Sequence, residues 1–502
     1  MLSGILRSGA AVAIALLIGR LLGFGREVTL AASFGVGREA DVAVFLIGLP
    51  DFLINVLGAG GVTAVLVVVF RQRAADAGRL FFQASLAVLA MIGVLSLGLI
   101  AVRAGMVEIL APGFDAIARQ RTIDLLPLVI LAAPIAAMNA VAIAWLQAQE
   151  RFFLSVIGTA VINAVLIVAL VIDGWDATVV WLPLAVLGGV MLRWLLQVIA
   201  IGRQAIAGLN FRPWLVDRRM ILGMAETSAA ESLVYFYPFA LRAFATLFGI
   251  GALATVNYAT RLVLLPLGVV ITTLTIILLP RLASTAPGGE QEDRDLFLTI
   301  VRQGQTWIVV LSGMAFITLA LARDLVVRLV YGWGDIAAAD LEEIGLLTAV
   351  YAVALLPLGL NVFVRRVLNV MGDTRSPMIG EVLGFIVFLV AAWLVEPAGG
   401  GLPELMAAAV LGAMVSGVYL MVQAVRRGVP MPRMLARPQT WLTASLAMAA
   451  TALPMLVAQQ LFPTDMIVGI GAVLAGGACG LAMALGINRD ARQAVTRLRR
   501  RQ

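Results

Sequence analysis

Residues 153–172 read FLSVIGTAVINAVLIVALVI, a run without one formal charge between Arg151 and Asp173. Coiled as an α-helix, a run of this length covers about 30 Å, the thickness of a bilayer's hydrocarbon core. Lipid offers a backbone no hydrogen-bond partners, so a spanning segment is either a helix or a strand of a closed barrel. Barrel strands are shorter and alternate in polarity, which this run does not do, and a transmembrane helix is the remaining solution.

Working outward, comparable runs bounded by charge, Gly or Pro fall at 8–25, 42–70, 80–102, 123–147, 179–201 and 221–248. The second half supplies 252–280, 299–322, 341–370, 376–395, 402–425, 440–460 and 465–487. The pattern predicts an all-α polytopic membrane protein of about fourteen transmembrane helices. Composition agrees, because a chain of 502 residues that is 62% apolar and 13% charged, with a mean hydropathy of +1.01, has more oily surface than a soluble core could hide. Met1 leads past Arg7 directly into apolar sequence with no small-residue cleavage site, which reads as an uncleaved first helix.

Every cationic side chain is Arg, for the chain holds no Lys and no His. Translocated loops avoid cations. With a cytoplasmic amino terminus, 25 of the 36 arginines fall on the cytoplasmic side and seven on the other: Arg26, Arg38, Arg103, Arg119, Arg121, Arg323 and Arg328. The expectation is a multi-pass protein of the bacterial inner membrane with both termini in the cytoplasm. The basic tail Arg489 to Gln502 reads as a topology anchor.

The same composition closes off several chemistries. Without imidazole and with the single thiol of Cys479, there is no His-based metal site, no Cys/His nucleophile pair and no intrachain disulfide. The run Gly476 to Gly480 around that thiol reads as small-residue helix packing. An enzyme acting on membrane lipids would need an acid/base or metal-binding constellation at a membrane face. The acidic run Glu290-Gln291-Glu292-Asp293-Arg294-Asp295 reads instead as a solvated cytoplasmic loop. We therefore expect no enzyme, no metal, no cofactor and no nucleic-acid partner.

Two junctions match in the two halves. Phe34-Gly35-Val36-Gly37 precedes a helix interrupted by Pro50, and Phe248-Gly249-Ile250-Gly251 precedes one interrupted by Pro266. Repeated halves with broken helices are the pattern of secondary transporters, which bind substrate between the halves near mid-membrane. The expected layout is two pseudo-symmetric six-helix lobes, 1–215 and 216–430, then two further helices in 431–488 and the tail 489–502, acting as a monomer.

Four arginines, Arg20, Arg193, Arg242 and Arg261, fall inside predicted spans. A cation in hydrocarbon is costly, so such residues face polar cavities or snorkel to an interface. Arg193 sits near the cytoplasmic end of its span and suits snorkelling, whereas Arg20 and Arg261 lie close to the Pro-broken segments and suit a cavity. A guanidinium presents a planar fork of donors that matches phosphate oxygens, so cations converging there suit an anionic, phosphorylated substrate. Arg26, beside Glu27, extends the set or forms an interfacial pair. Of the carboxylates in or near spans, Asp41 is expected to hold a cavity Arg in position. Glu231 shares its helix with Arg242 and Glu226, so charge compensation and ion coupling both fit it. Glu381 stands farthest from other charge within its span and is the coupling candidate. Coupling to membrane potential, sodium or proton stays open.

These residues resemble a family. Gly19-Arg20-Leu21-Leu22-Gly23-Phe24-Gly25-Arg26-Glu27, then Phe34-Gly35, Asp41 and Leu49-Pro50, is similar to the opening of MurJ/MviN lipid II flippases. Asn257-Tyr258-Ala259-Thr260-Arg261-Leu262, Pro266, Gly268-Val269 and Ile277-Leu278-Leu279-Pro280 resemble that family's NYADRL…P-x-GV…ILLP region. Gly372-Asp373-Thr374-Arg375-Ser376-Pro377 and Ala111-Pro112-Gly113-Phe114 are similar to its GDTRTP and APGF segments. The resemblance covers most of residues 1–380.

It implies the fold of the multidrug/oligosaccharidyl-lipid/polysaccharide exporter superfamily, alternating access and an undecaprenyl-pyrophosphate-linked glycan such as lipid II of peptidoglycan biosynthesis. Substrate-binding residues carry over onto Arg20, Arg26, Asp41 and Arg261, with Arg242 added from its place inside a span. The chain departs from the pattern at Ile54 and Asn55, where the family usually has a double Arg, at Ala59-Gly60-Gly61-Val62 in place of EGAF, and at Leu241 and Thr260 in place of acidic residues. Two alternatives stand beside lipid II: a flippase for another polyprenyl-linked saccharide, such as an exopolysaccharide repeat unit, and a cation-coupled drug exporter of the same fold.

Overall fold

The computed structural model describes residues 2–57, 59–173, 179–203, 213–271, 274, 278, 282–285, 291–334, 336–462 and 465–487, leaving aside the side chains of 2–13, 51, 54–57, 59–60, 173, 229–234, 270–271 and 291–292. The basic tail, Glu290, most of Ile277 to Pro280 and the side chains of Gln291, Glu292, Ile54, Asn55 and Glu231 lie outside the described residues.

Among the described residues the chain is helical and has no strand. Among the described residues ten helices are long and apolar enough to cross a bilayer, or eleven when the pair Ala338–Ala352 and Leu355–Val370, bent by 45°, counts as one. The other three predicted runs fall on helices outside that count: Leu2–Phe34 (α1), Arg38–Leu57 (α2) with Ala59–Gln72 (α3), and a later helix, Arg218–Ala245.

The chain forms two compact units, one of Met1–Asn257 with Gly334–Ala337 and one of Tyr258–Trp333 with Ala338–Gln502. In the first, α1 to α3 are followed by Ala77–Ala101 (α4), Arg103–Leu110 (α5), Ala116–Ile130 (α6), Ala132–Ala148 (α7), Phe152–Asp173 (α8), Trp181–Ile201 (α9) and Arg218–Ala245 (α10). Apolar attraction between helices is weak in lipid, where tails are as oily as side chains, so close backbone approach at small residues does the packing. The row of glycines in α1 faces α8: a Cβ on Gly19 would meet Thr159 at 3.8 Å, one on Gly23 would meet Asn163 Nδ2 at 3.3 Å, and one on Gly25 would meet Ile167 at 3.7 Å. Gly61 of α3 lies so close to α10 that a Cβ would fall 2.4 Å from the Ser228 backbone nitrogen. Thus α10, which the sequence assigns to the second lobe, packs in the first unit against α2 and α3. The connection that leads into it is clasped by Gln83 of α4, whose amide donates to Pro213 O (3.0 Å) and accepts from Leu215 N (2.6 Å).

The second unit takes most of Ala252–Pro266 (α11), then Gln291–Leu321 (α12), Arg323–Tyr331 (α13), Ala338–Ala352 (α14), Leu355–Val370 (α15), Arg375–Val395 (α16), Leu402–Arg426 (α17), Met431–Leu435 (α18), Pro438–Leu461 (α19) and Met466–Ile487 (α20). Phe297, Ile308, Phe363, Val367 and Leu420 centre its core. The GDTRSP turn is a helix start: Asp373 accepts from Ser376 N (3.0 Å), Ser376 Oγ (2.7 Å) and Arg427 Nε (2.8 Å), satisfying orphan donors of α16. α5 and α13 are short helices that each begin with Arg and follow a long span, a further correspondence between the halves.

The glycine run near the carboxyl end packs as its sequence predicts. A Cβ on Gly476 of α20 would stand 2.3 Å from the Thr451 carbonyl of α19, and one on Gly480 would stand 2.8 Å from the Ala447 carbonyl, while Cys479 points outward. Because those obstacles are backbone, Gly476→Ala should force the two helices apart at a cost of about 1–3 kcal/mol. We expect a lower unfolding midpoint in detergent, read by thermal scanning, with Gly477→Ala, which meets open space, as the neutral control.

Candidate substrate-binding residues

Asp41 is 3% exposed on the first turn of α2, and its partners are backbone amides. Oδ2 accepts from Gly251 N at 2.6 Å and Oδ1 from Ala254 N at 2.8 Å, so the carboxylate caps α11 from a different helix. The backbone before α11 can present those amides because Gly249 and Gly251 adopt φ of 116° and 88°. A Cβ on Gly251 would lie 2.8 Å from Val36 and 3.2 Å from Gly37 N, so the two matching Gly-rich junctions meet face to face. The expectation that Asp41 holds a cavity arginine is corrected: it holds the start of a helix.

Arg26 and Glu27 form the second anchor. Both are buried, with Arg26 Nη2 donating to Glu27 Oε1 at 2.7 Å and Arg26 Nη1 to Asn163 Oδ1 at 3.1 Å. The other oxygen of Glu27 accepts from Asn257 Nδ2 at 2.9 Å, which ties α1 to the second turn of α11. Of the two readings of Arg26, the structure favours the structural pair. Sequence reasoning missed Asn163 and Asn257 as partners; the signal available was an amide inside an apolar run, which must find a bond there.

Arg261 follows Asn257 by one turn of α11 and so lies on the same stripe of that helix, partly buried. The anchors at Asp41 and Glu27 hold the first two turns of that helix, which belong to the first unit. Arg242 is partly buried on α10, with Nη1 only 2.6 Å from where a Cβ on Gly48 would stand, so the missing side chain of Gly48 is the seat of that guanidinium. Arg20 differs from the others. It is partly buried in α1 and, among the described residues, has neither a hydrogen bond nor an ion pair. Arg193 packs across Gly158 of α8, its Nε 2.7 Å from the would-be Cβ.

Glu381 is not isolated. It pairs with Arg365 of the neighbouring α15, which corrects the ground on which it was singled out for ion coupling. The side chain of Glu231 lies outside the described residues. A cavity of about 750 Å³ in the second unit, between α12–α13 and α19–α20, is lined by Arg323, Arg328, Asp324, Asp465, Gln459 and mostly apolar side chains and includes none of the predicted binding residues.

The start of α2 is itself fastened. Arg38 Nε donates to Asp115 Oδ2 at 2.7 Å, Asp115 Oδ1 caps α6 through Ala118 N at 2.8 Å, and Arg121 pairs with Glu39. The Arg38 hydrogen bond, helped by the Ala118 amide, holds the Asp115 carboxyl below its ordinary 3.8.

Comparison with known proteins decides what this arrangement belongs to. Residues 30–474 match the model of the family described as lipid II flippase MurJ. The chain belongs to the MurJ lipid II flippase family. It is 26% identical over 406 residues to a probable lipid II flippase MurJ of Synechocystis sp., covering 75% of this chain and 73% of that one. A solved lipid II flippase MurJ in an inward closed conformation shares its fold, with a TM-score of 0.80 at 15% identity over 95% of this chain and 99% of that one. An inward-facing multidrug resistance MATE family transporter of the MOP superfamily gives 0.66 at 13% identity over 85% and 100%. Membership of the MurJ family makes the chain a multi-pass membrane flippase, not an enzyme.

Two outcomes follow from the geometry. Gly48→Ala should displace the flexible end of Arg242 while leaving the fold intact, because the obstacle is a side-chain tip. A several-fold fall in flipping rate with an unfolding midpoint like the parent's is expected, and adding Arg242→Ala should lower it little further. For Asp115, a folded pKa below the unfolded one means that the stability it contributes is present above about pH 4. That contribution is lost as pH falls through the lowered value, so Asp115→Asn should flatten the acid limb of a stability-versus-pH curve.

Proposed function

We propose that the chain carries lipid II, an undecaprenyl-pyrophosphate-linked peptidoglycan precursor, from the inner to the outer leaflet of a bacterial inner membrane by alternating access, with both termini cytoplasmic. The observation that carries the reading is Arg20: a permanent cation inside an apolar helix, partly exposed and without an anionic partner among the described residues. Such a residue needs an anion to offset its cost, and a pyrophosphate supplies bidentate oxygens that match a guanidinium. Arg242 and Arg261 are further partly buried cations within the helices. A drug exporter for hydrophobic cations would be repelled by such a set. An inside-negative potential favours outward movement of an anion by about 2.3 kcal/mol per charge per 100 mV, so neither sodium nor proton is required.

A second reading, a flippase for another polyprenyl-linked saccharide, is favoured by Ile54 and Asn55 standing where the family usually has two arginines. Both readings share the pyrophosphate and differ in the glycan.

The test is reconstitution into vesicles with labelled lipid-linked precursor. Arg20→Ala and Arg261→Ala should each slow translocation about tenfold or more, with Arg20→Lys recovering part of the rate. Rates equal to the parent's would refute the phosphate clasp. Rescue of cells depleted of their own lipid II flippase would assign lipid II, and failure to rescue by a protein that moves another polyprenyl-linked glycan in vesicles would assign the second reading.

A further inference from the structure

Two opposite charges in the second unit line one cavity without pairing. The polar lining of the 750 Å³ cavity between α12–α13 and α19–α20 is Arg323, Asp324, Arg328, Gln459 and Asp465. Arg323 Nε already faces Asp324 Oδ1 at 3.4 Å, and Gln459 Nε2 donates to Leu321 O at 2.7 Å. Arg328, by contrast, has neither a hydrogen bond nor an ion pair of its side chain among the described residues. Asp465 has no cationic partner among them either. Its Oδ1 caps α20 through Ile467 N (2.9 Å) and Val468 N (3.1 Å), which leaves Oδ2 as an acceptor with nothing bound to it.

The surroundings say where in the membrane this cavity sits. Much of the remaining lining is apolar, including Leu325, Met455, Phe462 and Met466. Phe462 and Met466 are 52% and 40% exposed, and their neighbours Leu461 and Ile467 are 65% and 82% exposed, so an oily outer surface adjoins the cavity. The charges lie at helix ends, Arg323 and Arg328 on the short α13 and Asp465 between α19 and α20. Charge at the helix ends beside outward apolar side chains marks the headgroup level, here on the side that the arginine distribution assigns to the outer face.

We propose that this cavity binds a zwitterionic phospholipid of the phosphatidylethanolamine class from the leaflet on that side. Arg328 takes the phosphate, Asp465 Oδ2 accepts from the ammonium, and an acyl chain lies along Phe462 and Met466. An anionic headgroup would gain at Arg328 and lose at Asp465, whereas one that bears both signs gains at each. A primary ammonium fits better than choline because its N–H groups can donate to a carboxylate and methyl groups cannot. The volume falls within the roughly 300–1,000 Å³ of small-ligand pockets, enough for a headgroup and the upper part of a chain. By bridging Arg328 to Asp465, the lipid ties α13 to the turn between α19 and α20. None of the arginines of the proposed phosphate clasp lines the cavity, so the two sites are separate.

The experiment uses the full chain purified in detergent, titrated with phosphatidylethanolamine, phosphatidylcholine, phosphatidylglycerol or soluble phosphoethanolamine, and read by thermal unfolding and native mass spectrometry. Phosphatidylethanolamine should raise the midpoint and remain bound, with the other two lipids weaker. Arg328→Gln should weaken its apparent affinity about fivefold or more, the loss of one charge-assisted contact. Asp465→Asn should do the same and bring phosphatidylglycerol level with phosphatidylethanolamine, because the positive charge is then unopposed. Asn caps a helix about as well as Asp, and both positions are exposed, so neither change removes a buried contact. Should one variant fold poorly, the other still tests the bridge. Glu342→Gln, exposed on α14 and outside the cavity, should behave as the parent. Parent-like affinity in either cavity variant, or equal stabilisation of the parent by phosphatidylglycerol or phosphatidylcholine, overturns the proposal. An equal shift with phosphoethanolamine alone overturns the lipid as occupant.

Discussion

The first unit depends on a carboxylate bonded to main-chain amides. Buried in a membrane protein, the opening N–H groups of α11 have no water to turn to, and each left unmet would cost several kcal/mol. Asp41 meets two of them from α2, and Glu27 takes the amide of Asn257 one turn later while also neutralising Arg26. Two carboxylates, one guanidinium and two side-chain amides thus meet in one cluster in which each charge has its opposite or a helix terminus. The pose of the first two turns of α11 follows from this arrangement.

Around that joint, glycine does the work that large apolar residues do in soluble cores. At Gly61, Gly384 and Gly476 the space for a Cβ is already taken by an atom of a neighbouring helix. Van der Waals contact between backbones is then strong because it is extensive, and polar side chains such as Asn163 and Asn361 complete it with hydrogen bonds to neighbouring helices. Arginines are fitted into the same scheme, with Arg242 over Gly48 and Arg193 over Gly158. The scaffold places its cations by leaving out side chains opposite them.

How much of this could be read from the chain alone depends on the range of the interaction. Spans were legible because an apolar run is a local property, and every predicted run falls mainly on helix where it is described. Arg20 stood out in the sequence because a charge inside an apolar run is a local property too. Arg26 was not, since the partner that commits its second nitrogen, Asn163, is neutral and 137 residues away. Glu381 looked isolated because attention to its own span hides Arg365, 16 residues earlier on the next helix. Asp41 was noticed for its charge, yet its ligands are amides, which every residue but proline carries and which therefore leave no mark in a sequence.

The meeting of Gly251 with Val36 and Gly37 sets what the junction tolerates. The contact is made in part of main chain, Gly251 lying against Gly37 N, so most side-chain changes around it leave it in place. Substitution of Gly251 itself does not, because its φ of 88° and its closeness to Val36 both exclude a Cβ.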